Sequence, residues 1–359
     1  GGFMLVSALI SMWIMNTSTT LMLLPIGLAI AGVVRNTTSL DKDFRNFQTA
    51  LLLGIAYAAT IGGMATPIGT GPNIVVISLI QEQGLDVTFD QWMLLATPIS
   101  AIMLLVGWWL LTHIIFPIKI TGNEDTKNSL QKMYLDLGKI SVDERRVLII
   151  FILTALAWMT RDVLDELFLF QGLTDYGIAI IAALAVFITR SSTGSGLIEW
   201  NITSKLPWGI LILFGGGLSM ANAIMDSGLG KWIGGLIPEI NAVLLILLIV
   251  ALIVFLTELT SNQATTATFV PIMIILATAE GNLLPDGSNN LSLVAQLAIP
   301  VALASSCAFM LPVATPPNAI VYGSEKFGIT EMMRAGLYIN IVGIIVVTLF
   351  SAYVLPLIF

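Results

Sequence analysis

NTSTTLMLLPI at Asn16–Ile26 returns as NQATTATFVPI at Asn262–Ile272, 246 residues further along the chain. A second polar pattern has nearly the same spacing: PIGTGPN at Pro67–Asn73 and PVATPPN at Pro312–Asn318 lie 245 residues apart. Two unrelated motifs repeated at nearly one spacing indicate an internal duplication of the chain. In a very hydrophobic sequence, such a duplication is typical of secondary transporters.

The composition places the chain in a membrane. Its 359 residues are 57% hydrophobic and only 10% charged, whereas soluble domains carry about 25% charged residues. The apolar runs are continuous rather than alternating, which predicts helices, and several approach the ~20 residues that cross a bilayer. The clearest runs are residues 92–118, 147–160, 178–189, 242–256 and 339–359.

The single cysteine and the single histidine exclude several classes of site. Cys307 alone cannot build a disulfide framework or a cysteine cluster, and His113 alone cannot build a multi-histidine metal site. We expect Cys307 to be a small buried hydrophobic residue and His113 to be packed or interfacial. The net charge of −7 says little about function, but lysines and arginines cluster in residues 119–146, which favours the cytoplasm for that segment.

The chain divides into three segments at the sequence level. Residues 1–118 form a first repeat, residues 119–199 a connecting segment with scaffold helices, and residues 200–359 a second repeat. The first repeat is expected to be incomplete at its N-terminus, because the chain opens inside an apolar run with no initiator methionine. Within these segments, residues 127–138 fit either an amphipathic surface helix or a solvated connector, and residues 282–290 a turn-rich loop.

The polar motifs interrupt apolar stretches. About a dozen apolar residues stand on each side of residues 16–20, so each piece is expected to be too short to span a bilayer alone. Proline and glycine within residues 67–72 and 314–317 predict breaks in two further helices. Broken backbone at membrane depth is tolerated only where it is buried in protein or lines a cavity. The motifs therefore predict half-helices that meet at polar tips.

Broken helices can bind ions of both signs. Freed carbonyls and the oxygens of Asn, Ser and Thr suit hard cations such as Na⁺, while helix N-termini favour anions. None of the four motifs contains Lys, Arg or His. The alternative is that small polar residues only pack the helices together, as we expect for Gly215–Gly217 and Trp208.

Glu258 is an acid in an apolar run next to the second asparagine motif. An intramembrane carboxylate is a functional candidate by default. It could be a proton site, a cation ligand or a structural hydrogen-bond partner. We favour the structural role, because its counterpart in the first repeat is the neutral Met12.

These motifs resemble those of the divalent anion/sodium symporters. Met12–Thr17 and Thr257–Gln263 are similar to the paired Ser-Asn-Thr signatures of that family. Gly69–Asn73 and Ala314–Asn318 resemble its paired substrate loops, and Phe214–Gly217 also fits. The resemblance implies an all-α polytopic membrane protein with an inverted repeat, two re-entrant hairpins and broken transmembrane helices. It also implies a homodimer that works by an elevator-type motion.

The resemblance further implies two Na⁺ sites and a substrate site between them. The first Na⁺ site would use Ser11, Asn16 and the Gly69 carbonyl. The second would use Thr257, Thr260, Asn262 and the Ala314 carbonyl. The substrate carboxylates would meet Asn16, Thr17, Thr70, Ser261, Asn262, Gln263, Thr315 and Pro316.

Two positions depart from the family pattern. Met15 stands in place of the serine of the first signature, which removes a hydroxyl. Gln263 stands in place of the threonine of the second signature and offers a longer amide to the substrate. These departures bear on the first cation site and on the choice of anion, respectively.

The resemblance implies Na⁺-coupled symport of small dicarboxylates such as succinate, malate and fumarate. The alternatives are a Na⁺-independent dicarboxylate exchanger and a sulfate or citrate transporter of the same fold. An intramembrane hydrolase lacks a nucleophile with a base beside these motifs, so the chain is not expected to be an enzyme. A channel would not need paired anion and cation sites. The chain is expected to lie in the plasma membrane, in contact with lipids, and to bind a small dianion and a second copy of itself. No nucleic-acid partner is expected.

Overall fold

The computed structural model is helical almost throughout. Among the residues that it describes there is no β-strand, and one isolated bridge joins Arg190 to Gly196. The described residues are 1–37, 41–119, 131, 134–135, 138–165, 172–192, 194–206, 208–228, 241–278 and 289–359. The helical class expected from the sequence is thereby confirmed. The expected amphipathic helix at 127–138 and loop at 282–290 fall largely outside the described residues.

The helices of the first repeat end and begin at its polar motifs. They are α1 (Gly2–Ser11), α2 (Asn16–Thr37), α3 (Asp41–Gly63), α4 (Gly71–Gln81) and α5 (Phe89–Trp109), which continues as a π-helical turn, Leu110–Ile115. Residues 12–15 separate α1 from α2, and residues 64–70 separate α3 from α4. Both breaks predicted for this repeat are confirmed.

The middle of the chain holds shorter elements. They are α6 (Val142–Met159), α7 (Arg161–Asp165), α8 (Asp175–Ile188) and a 3₁₀-helix, Trp200–Lys205. Ser141 starts α6 with a capping box, in which its hydroxyl accepts the Glu144 N–H and the Glu144 carboxylate accepts the Ser141 N–H. Not one residue of α6 is buried, as expected of an apolar helix that faces lipid.

The second repeat has the same kind of interruptions. Its helices are α9 (Trp208–Asp226), α10 (Ala242–Thr257), α11 (Asn262–Ala277), α12 (Leu291–Ser305), α13 (Pro316–Tyr322), α14 (Ile329–Tyr353) and α15 (Leu355–Ile358). Residues 258–261 separate α10 from α11, and residues 306–315 separate α12 from α13. Each break adjoins its motif but lies on the N-terminal side of the predicted residues, because Asn262–Thr266 and Pro316–Pro317 already belong to the following helices.

Among the described residues, three stretches are long and apolar enough to cross a membrane: Asn16–Arg35, Phe89–Ile115 and Ile329–Ile358. The first of them corrects an expectation, because the piece after Asn16 was predicted to be too short to span. Its polar residues 16–20 are helical and add more than a turn, so α2 reaches 22 residues. The equivalent helix after Asn262, α11, has 16 residues.

The chain forms two compact units. One contains residues 1–87, 93–127 and 209–359, and the other contains residues 88–92 and 128–208. In the first unit, α3 and α12 supply the core, since residues 52–63 and 297–305 are buried without interruption. Each stretch contains three alanines, and residues 52–63 also contain three glycines, which lets neighbouring backbones approach closely.

Two glycines mark close approaches between backbones in the first unit. A Cβ atom added to Gly62 of α3 would lie 2.3 Å from the Ala8 carbonyl oxygen of α1. A Cβ atom added to Gly336 of α14 would lie 2.2 Å from the Phe309 carbonyl oxygen. Gly217 is a milder case, with Ala267 at 3.3 Å. These contacts fix α1 against α3 and α14 against the break after α12.

In the second unit, Asp143 at the start of α6 fastens the turn after α8. Its carboxylate accepts hydrogen bonds from the Ser192 N–H at 2.8 Å, the Ser192 hydroxyl at 2.6 Å and the Ser191 hydroxyl at 2.8 Å. These bonds, with Ser192 contributing most, lower the pKa of Asp143. Elsewhere in this unit, the rings of Phe89 and Trp158 stack with centroids 5.0 Å apart.

Candidate functional site

Three oxygen atoms surround the side chain of Asn16, the first residue of α2. One terminal atom of its amide lies 2.8 Å from Ser11 Oγ, 3.1 Å from the Ala59 carbonyl oxygen and 3.2 Å from the Gly69 carbonyl oxygen. Ser11 ends α1, Ala59 lies in α3, and Gly69 lies in the break after α3. Ser11, Asn16 and Gly69, which the resemblance grouped as one cation site, are thus close together.

The amide of Asn16 can turn either terminal atom toward these oxygens. An oxygen there accepts the Ser11 hydroxyl but faces two carbonyl oxygens, which repel it. A nitrogen there donates to all three oxygens, so this orientation is preferred when no cation is bound. A cation among the same oxygens reverses the preference, because it attracts the amide oxygen.

Asn262, the first residue of α11, has a matching environment. Thr257 Oγ1 lies 2.8 Å from Asn262 Oδ1 and 2.9 Å from the Ser305 carbonyl oxygen. The Thr266 hydroxyl donates to the Asn262 carbonyl at 2.9 Å and lies 2.7 Å from Ser305 Oγ. Each asparagine is therefore surrounded by hydroxyl and carbonyl oxygens, without a charged side chain among the contacts.

Three members of one cluster have equivalents in the other. Their members pair at the 246-residue offset of the repeat: Ser11 with Thr257, Asn16 with Asn262, and Ala59 with Ser305. The carbonyls of Ala59 and Ser305 were not predicted, because a main-chain oxygen is not revealed by residue type. The sequence did hold one signal for them: the 246-residue offset makes Ala59 and Ser305 equivalent positions, so finding one carbonyl in a cluster points to the other.

Two buried asparagines hold the later breaks in shape. Asn73 Nδ2 lies 2.8–3.2 Å from three carbonyl oxygens in residues 63–66. Asn318 Nδ2 lies 3.1 Å from the Ala308 carbonyl oxygen and 3.0 Å from that of Leu311. Side-chain amides thus take the donor role that the backbone of a regular helix would have filled.

Thr70 and Thr315, which are both expected to bind substrate, differ in whether their hydroxyls already cap a helix. Thr315 is 4% exposed, and its hydroxyl accepts the Asn318 N–H at 3.2 Å to cap α13. Thr70 is partly exposed at the start of α4, and its hydroxyl caps no N–H group of that helix. The Thr70 hydroxyl is therefore the freer of the two to meet a ligand.

Gln263 joins the second repeat to the first. A Cβ atom added to Gly71 would lie 2.2 Å from Gln263 Nε2 and 2.7 Å from its Cδ, so the amide packs directly on the Gly71 backbone. Gly69, two residues earlier, contacts Asn16. Residues 69–71 therefore lie between the two asparagine motifs, and the halves of the chain meet at one site.

Glu258 follows Thr257 and is 4% exposed. Its Oε1 accepts the N–H groups of Phe309 at 2.8 Å and Met310 at 2.9 Å, and its Oε2 accepts that of Leu311 at 2.9 Å. A fourth bond comes from Asn340 Nδ2, which lies 2.7 Å from Oε1. The structural hydrogen-bonding role expected for Glu258 is confirmed.

In the first repeat, main-chain and hydroxyl hydrogen bonds hold the equivalent break in shape without a carboxylate. The Met64 N–H donates to the Ile61 carbonyl at 3.3 Å, and the Ala65 N–H donates to the Gly62 carbonyl at 3.0 Å. The Thr66 hydroxyl donates to the carbonyl of Met12, the counterpart of Glu258. The repeat offset falls from 246 to 245 residues between the two pairs of motifs. The second break, residues 306–315, is nevertheless longer than the first, residues 64–70.

The remaining predicted ligands lie near the clusters but make other contacts. The Thr260 hydroxyl donates to the Leu256 carbonyl at 3.0 Å and lies 2.6 Å from Thr265 Oγ1. Thr17 is partly exposed beside Asn16, and Ser261 is exposed at the start of α11. Met15, which replaces a family serine, is 50% exposed.

Cys307 and His113 are not part of this site. Cys307 is completely buried, as predicted. His113 is exposed, and its ring packs near those of Trp108 and Trp109 with centroids 5.8 and 6.3 Å away. Within the described part of the chain, no group of three or more His, Cys, Asp and Glu residues could hold a metal ion.

Comparison with known protein families shows which family the chain belongs to. The family model described as "Sodium:sulfate symporter transmembrane region" matches residues 2–359. The chain belongs to this sodium:sulfate symporter family. The family consists of transporters rather than enzymes, so the expectation that the chain is not an enzyme is confirmed. Membership, together with the apolar helices, makes the chain a multi-pass integral protein of the plasma membrane.

Characterised members of the sodium:sulfate symporter family resemble the whole chain. A sodium-dependent dicarboxylate transporter of Staphylococcus saprophyticus is 35% identical over 99% of this chain and 69% of its own length. A sodium-dependent dicarboxylate transporter of Staphylococcus aureus is 36% identical over the same shares. The family resemblance read from the four motifs is therefore confirmed.

Proposed function

We propose that this chain is a secondary active transporter that couples Na⁺ to the uptake of small dicarboxylates of the succinate, malate and fumarate class. One observation carries the proposal. The clusters around Asn16 and Asn262 consist of hydroxyl, amide and carbonyl oxygens at hydrogen-bonding distance from one another. The names of the two staphylococcal relatives support the same substrate class.

The oxygen clusters suit Na⁺ as a transported co-ion. A hard cation prefers oxygen ligands, and neutral oxygens hold a monovalent ion without binding it too tightly to be released. The first site comprises Ser11, Asn16 and the Gly69 carbonyl, to which the contacts add the Ala59 carbonyl. The second site comprises Thr257, Thr260, Asn262, the Ala314 carbonyl and, by its contact with Thr257, the Ser305 carbonyl.

The dianion binds between the two cation sites. Helices α2, α4 and α11 all begin at the polar motifs, and helix N-termini attract negative charge. The contact between Gln263 and Gly71 supports a common pocket for both repeats. Its ligands are those given by the family resemblance: Asn16, Thr17, Thr70, Ser261, Asn262, Gln263, Thr315 and Pro316.

The proposed architecture follows the family resemblance. Residues 1–118 and 200–359 form inverted repeats, each with a re-entrant hairpin, and residues 119–199 form the connection and scaffold. The matched contacts of Ser11 and Thr257 support this duplication. Transport proceeds by an elevator-type motion within a homodimer. Light scattering measures the mass of the purified protein and so tests whether it is a dimer.

Uptake of labelled succinate into proteoliposomes tests the proposal. We expect uptake with an inward Na⁺ gradient and none when K⁺ replaces Na⁺. Equal uptake in both salts that depends on succinate inside the vesicles would identify an exchanger instead. The family description names sulfate, so labelled sulfate is the second substrate to test. Sulfate uptake without succinate competition would replace the dicarboxylate assignment.

A further inference from the structure

All the hydrogen-bonding partners of Glu258 are donors. Three are consecutive main-chain N–H groups of residues 309–311, and the fourth is the Asn340 amide. This is the set of partners that a carboxylate anion takes, because a protonated carboxyl needs an acceptor for its own hydrogen. Consecutive N–H groups of this kind form an anion-binding concavity. Glu258 fills that concavity from within the chain.

The charge of Glu258 has no cationic partner among the described residues. The ion pairs found there join Arg35 to Asp41, Arg45 to Glu331, Arg146 to Asp143 and Arg161 to Asp175. Four N–H dipoles satisfy the carboxylate oxygens, but they do not cancel a unit charge. A buried charge balanced only by dipoles remains attractive to a nearby cation.

The second asparagine cluster lies beside this charge. Thr257, which contacts Asn262 and Ser305, is the residue immediately before Glu258. The segment fastened by Glu258, residues 309–311, leads directly to Ala314 and Thr315 in the following turn. Glu258 is therefore tied to both chain segments that the second cation site requires.

The first asparagine cluster has no such charge at the equivalent place. Met12 stands where Glu258 stands in the second repeat, and its carbonyl accepts the Thr66 hydroxyl. The amides of Met64 and Ala65 are satisfied by main-chain carbonyls of their own turn. The two clusters are thus alike in their oxygens but differ by one negative charge.

We propose that Glu258 is a positioning residue that makes the cation site around Asn262 the tighter of the two. Its carboxylate holds residues 309–311 in place and adds a fixed negative charge beside the site. This inference rests on the proposed function, since it takes the two clusters to be Na⁺ sites. The site around Asn16, which lacks the charge, binds Na⁺ more weakly.

Binding of radioactive Na⁺ to the purified full chain, measured by scintillation proximity, tests the proposal without requiring transport. The Glu258→Gln variant removes the charge and keeps the shape. For the tighter of the two Na⁺-binding components, we expect the half-saturation concentration of this variant to rise about tenfold. That is the order of magnitude of the effect of a unit charge about 10 Å away in a protein interior. The weaker component should stay within about twofold of its original value, since its oxygens are untouched.

Two variants separate charge from structure. Met12→Gln makes the matched change in the first repeat, where no charge is lost, and should leave the tighter component unchanged. Asn340→Ala removes one hydrogen bond from the carboxylate but keeps its charge. We expect Asn340→Ala to lower the melting temperature while the tighter Na⁺ half-saturation stays near its original value. A rise equal to that of Glu258→Gln would reduce Glu258 to a structural role and overturn the proposal.

A further comparison keeps the proposal testable if Glu258→Gln fails to fold. In the otherwise unchanged chain, Asn262→Ala should remove the tighter component and Asn16→Ala the weaker one. The reverse assignment, or a single component lost equally in both variants, would contradict the proposal. Absence of Na⁺ binding in the unchanged chain would instead refute the proposed function, so the two failures are distinguishable.

Discussion

At the scale of single residues, the amides of Asn16 and Asn262 are the groups on which the proposed coupling depends. Replacing either by alanine removes the one side-chain oxygen that its cluster shares with the substrate. We expect Asn16→Ala and Asn262→Ala each to reduce Na⁺-driven succinate uptake to background. Uptake into proteoliposomes, with circular dichroism to verify folding, measures this.

An exposed asparagine provides the control for these two variants. Asn201 lies in the 3₁₀-helix, and its side-chain amide donates to the Glu199 carboxylate at 3.1 Å. Its replacement by alanine should leave uptake unchanged. Normal uptake by both site variants would refute the assignment of the clusters as ion sites.

The contact between Gly71 and Gln263 supports a double-mutant prediction. Gly71→Ala places a methyl group 2.2 Å from Gln263 Nε2, so one residue must move, and uptake should fall at least tenfold. Adding Gln263→Ala removes the clash, and uptake should recover in part. We expect a coupling energy of about 0.5–3 kcal/mol between the two changes. Losses that simply add would show that the contact is unimportant.

Sequence reasoning found the side chains of the site better than its main-chain atoms. Asn16 and Asn262 were recognisable because their polar motifs interrupt apolar runs, and Ser11 and Thr257 were implied by the resemblance to the symporter family. The carbonyls of Ala59 and Ser305 were not, since any residue supplies such an oxygen and only the fold aims it. The contact of Gln263 with Gly71 likewise depends on tertiary packing that no local pattern encodes.

At the scale of helices, Gly336 fixes how α14 packs against the break after α12. An added methyl group would overlap the Phe309 carbonyl, which is main chain and cannot rotate away. We expect Gly336→Ala to destabilise the protein by at least about 1–3 kcal/mol, the usual cost of overpacking. The melting temperature in detergent should fall by several degrees and Na⁺-driven uptake should decrease.

Gly32 in α2 is the matched control for this prediction. A Cβ atom added there meets nothing within 4 Å. Gly32→Ala should therefore leave the melting temperature unchanged or raise it slightly, because alanine favours the helix by about 1 kcal/mol over glycine. Equal losses in both variants would mean that the Phe309 contact does not limit stability.

The positions of the helix breaks were predictable, whereas the helix lengths were not. Proline and glycine at residues 67–72 and 314–317 indicated two interruptions, which the structure places at residues 64–70 and 306–315. The length of α2 was underestimated because its polar first residues were counted outside the helix. In α14 the helix begins at Ile329, ten residues before the apolar run that was counted from residue 339. Apolar counting misses polar helical turns at the membrane boundary.

At the scale of the whole molecule, coupling requires that Na⁺ and the dianion favour each other's binding. Coupling free energies of this kind typically change affinity by about 5–150-fold, and the effect is reciprocal. We expect the dissociation constant for succinate, measured by calorimetry, to fall at least tenfold when Na⁺ replaces K⁺. Succinate should strengthen Na⁺ binding by the same factor. Equal succinate affinity in both salts would argue against symport.

The single cysteine reports on the integrity of the first compact unit. Cys307 is completely buried, so a maleimide should not label the native protein. Labelling should appear only when the unit opens, as in denaturing detergent. Mass spectrometry of the intact chain measures the labelled fraction. Rapid labelling under native conditions would show that α12 and its neighbours open locally.

Glu258 holds a segment that lies 51 residues further along the chain. In the first break, the Met64 and Ala65 amides donate to main-chain carbonyls of their own turn, whereas in the second the amides of residues 309–311 donate to the carboxylate. A change of conformation that turned those three amides away would leave the same carboxylate buried with few donors. Whether Glu258 stabilises or destabilises this protein therefore depends on the conformation of a segment that is remote in sequence.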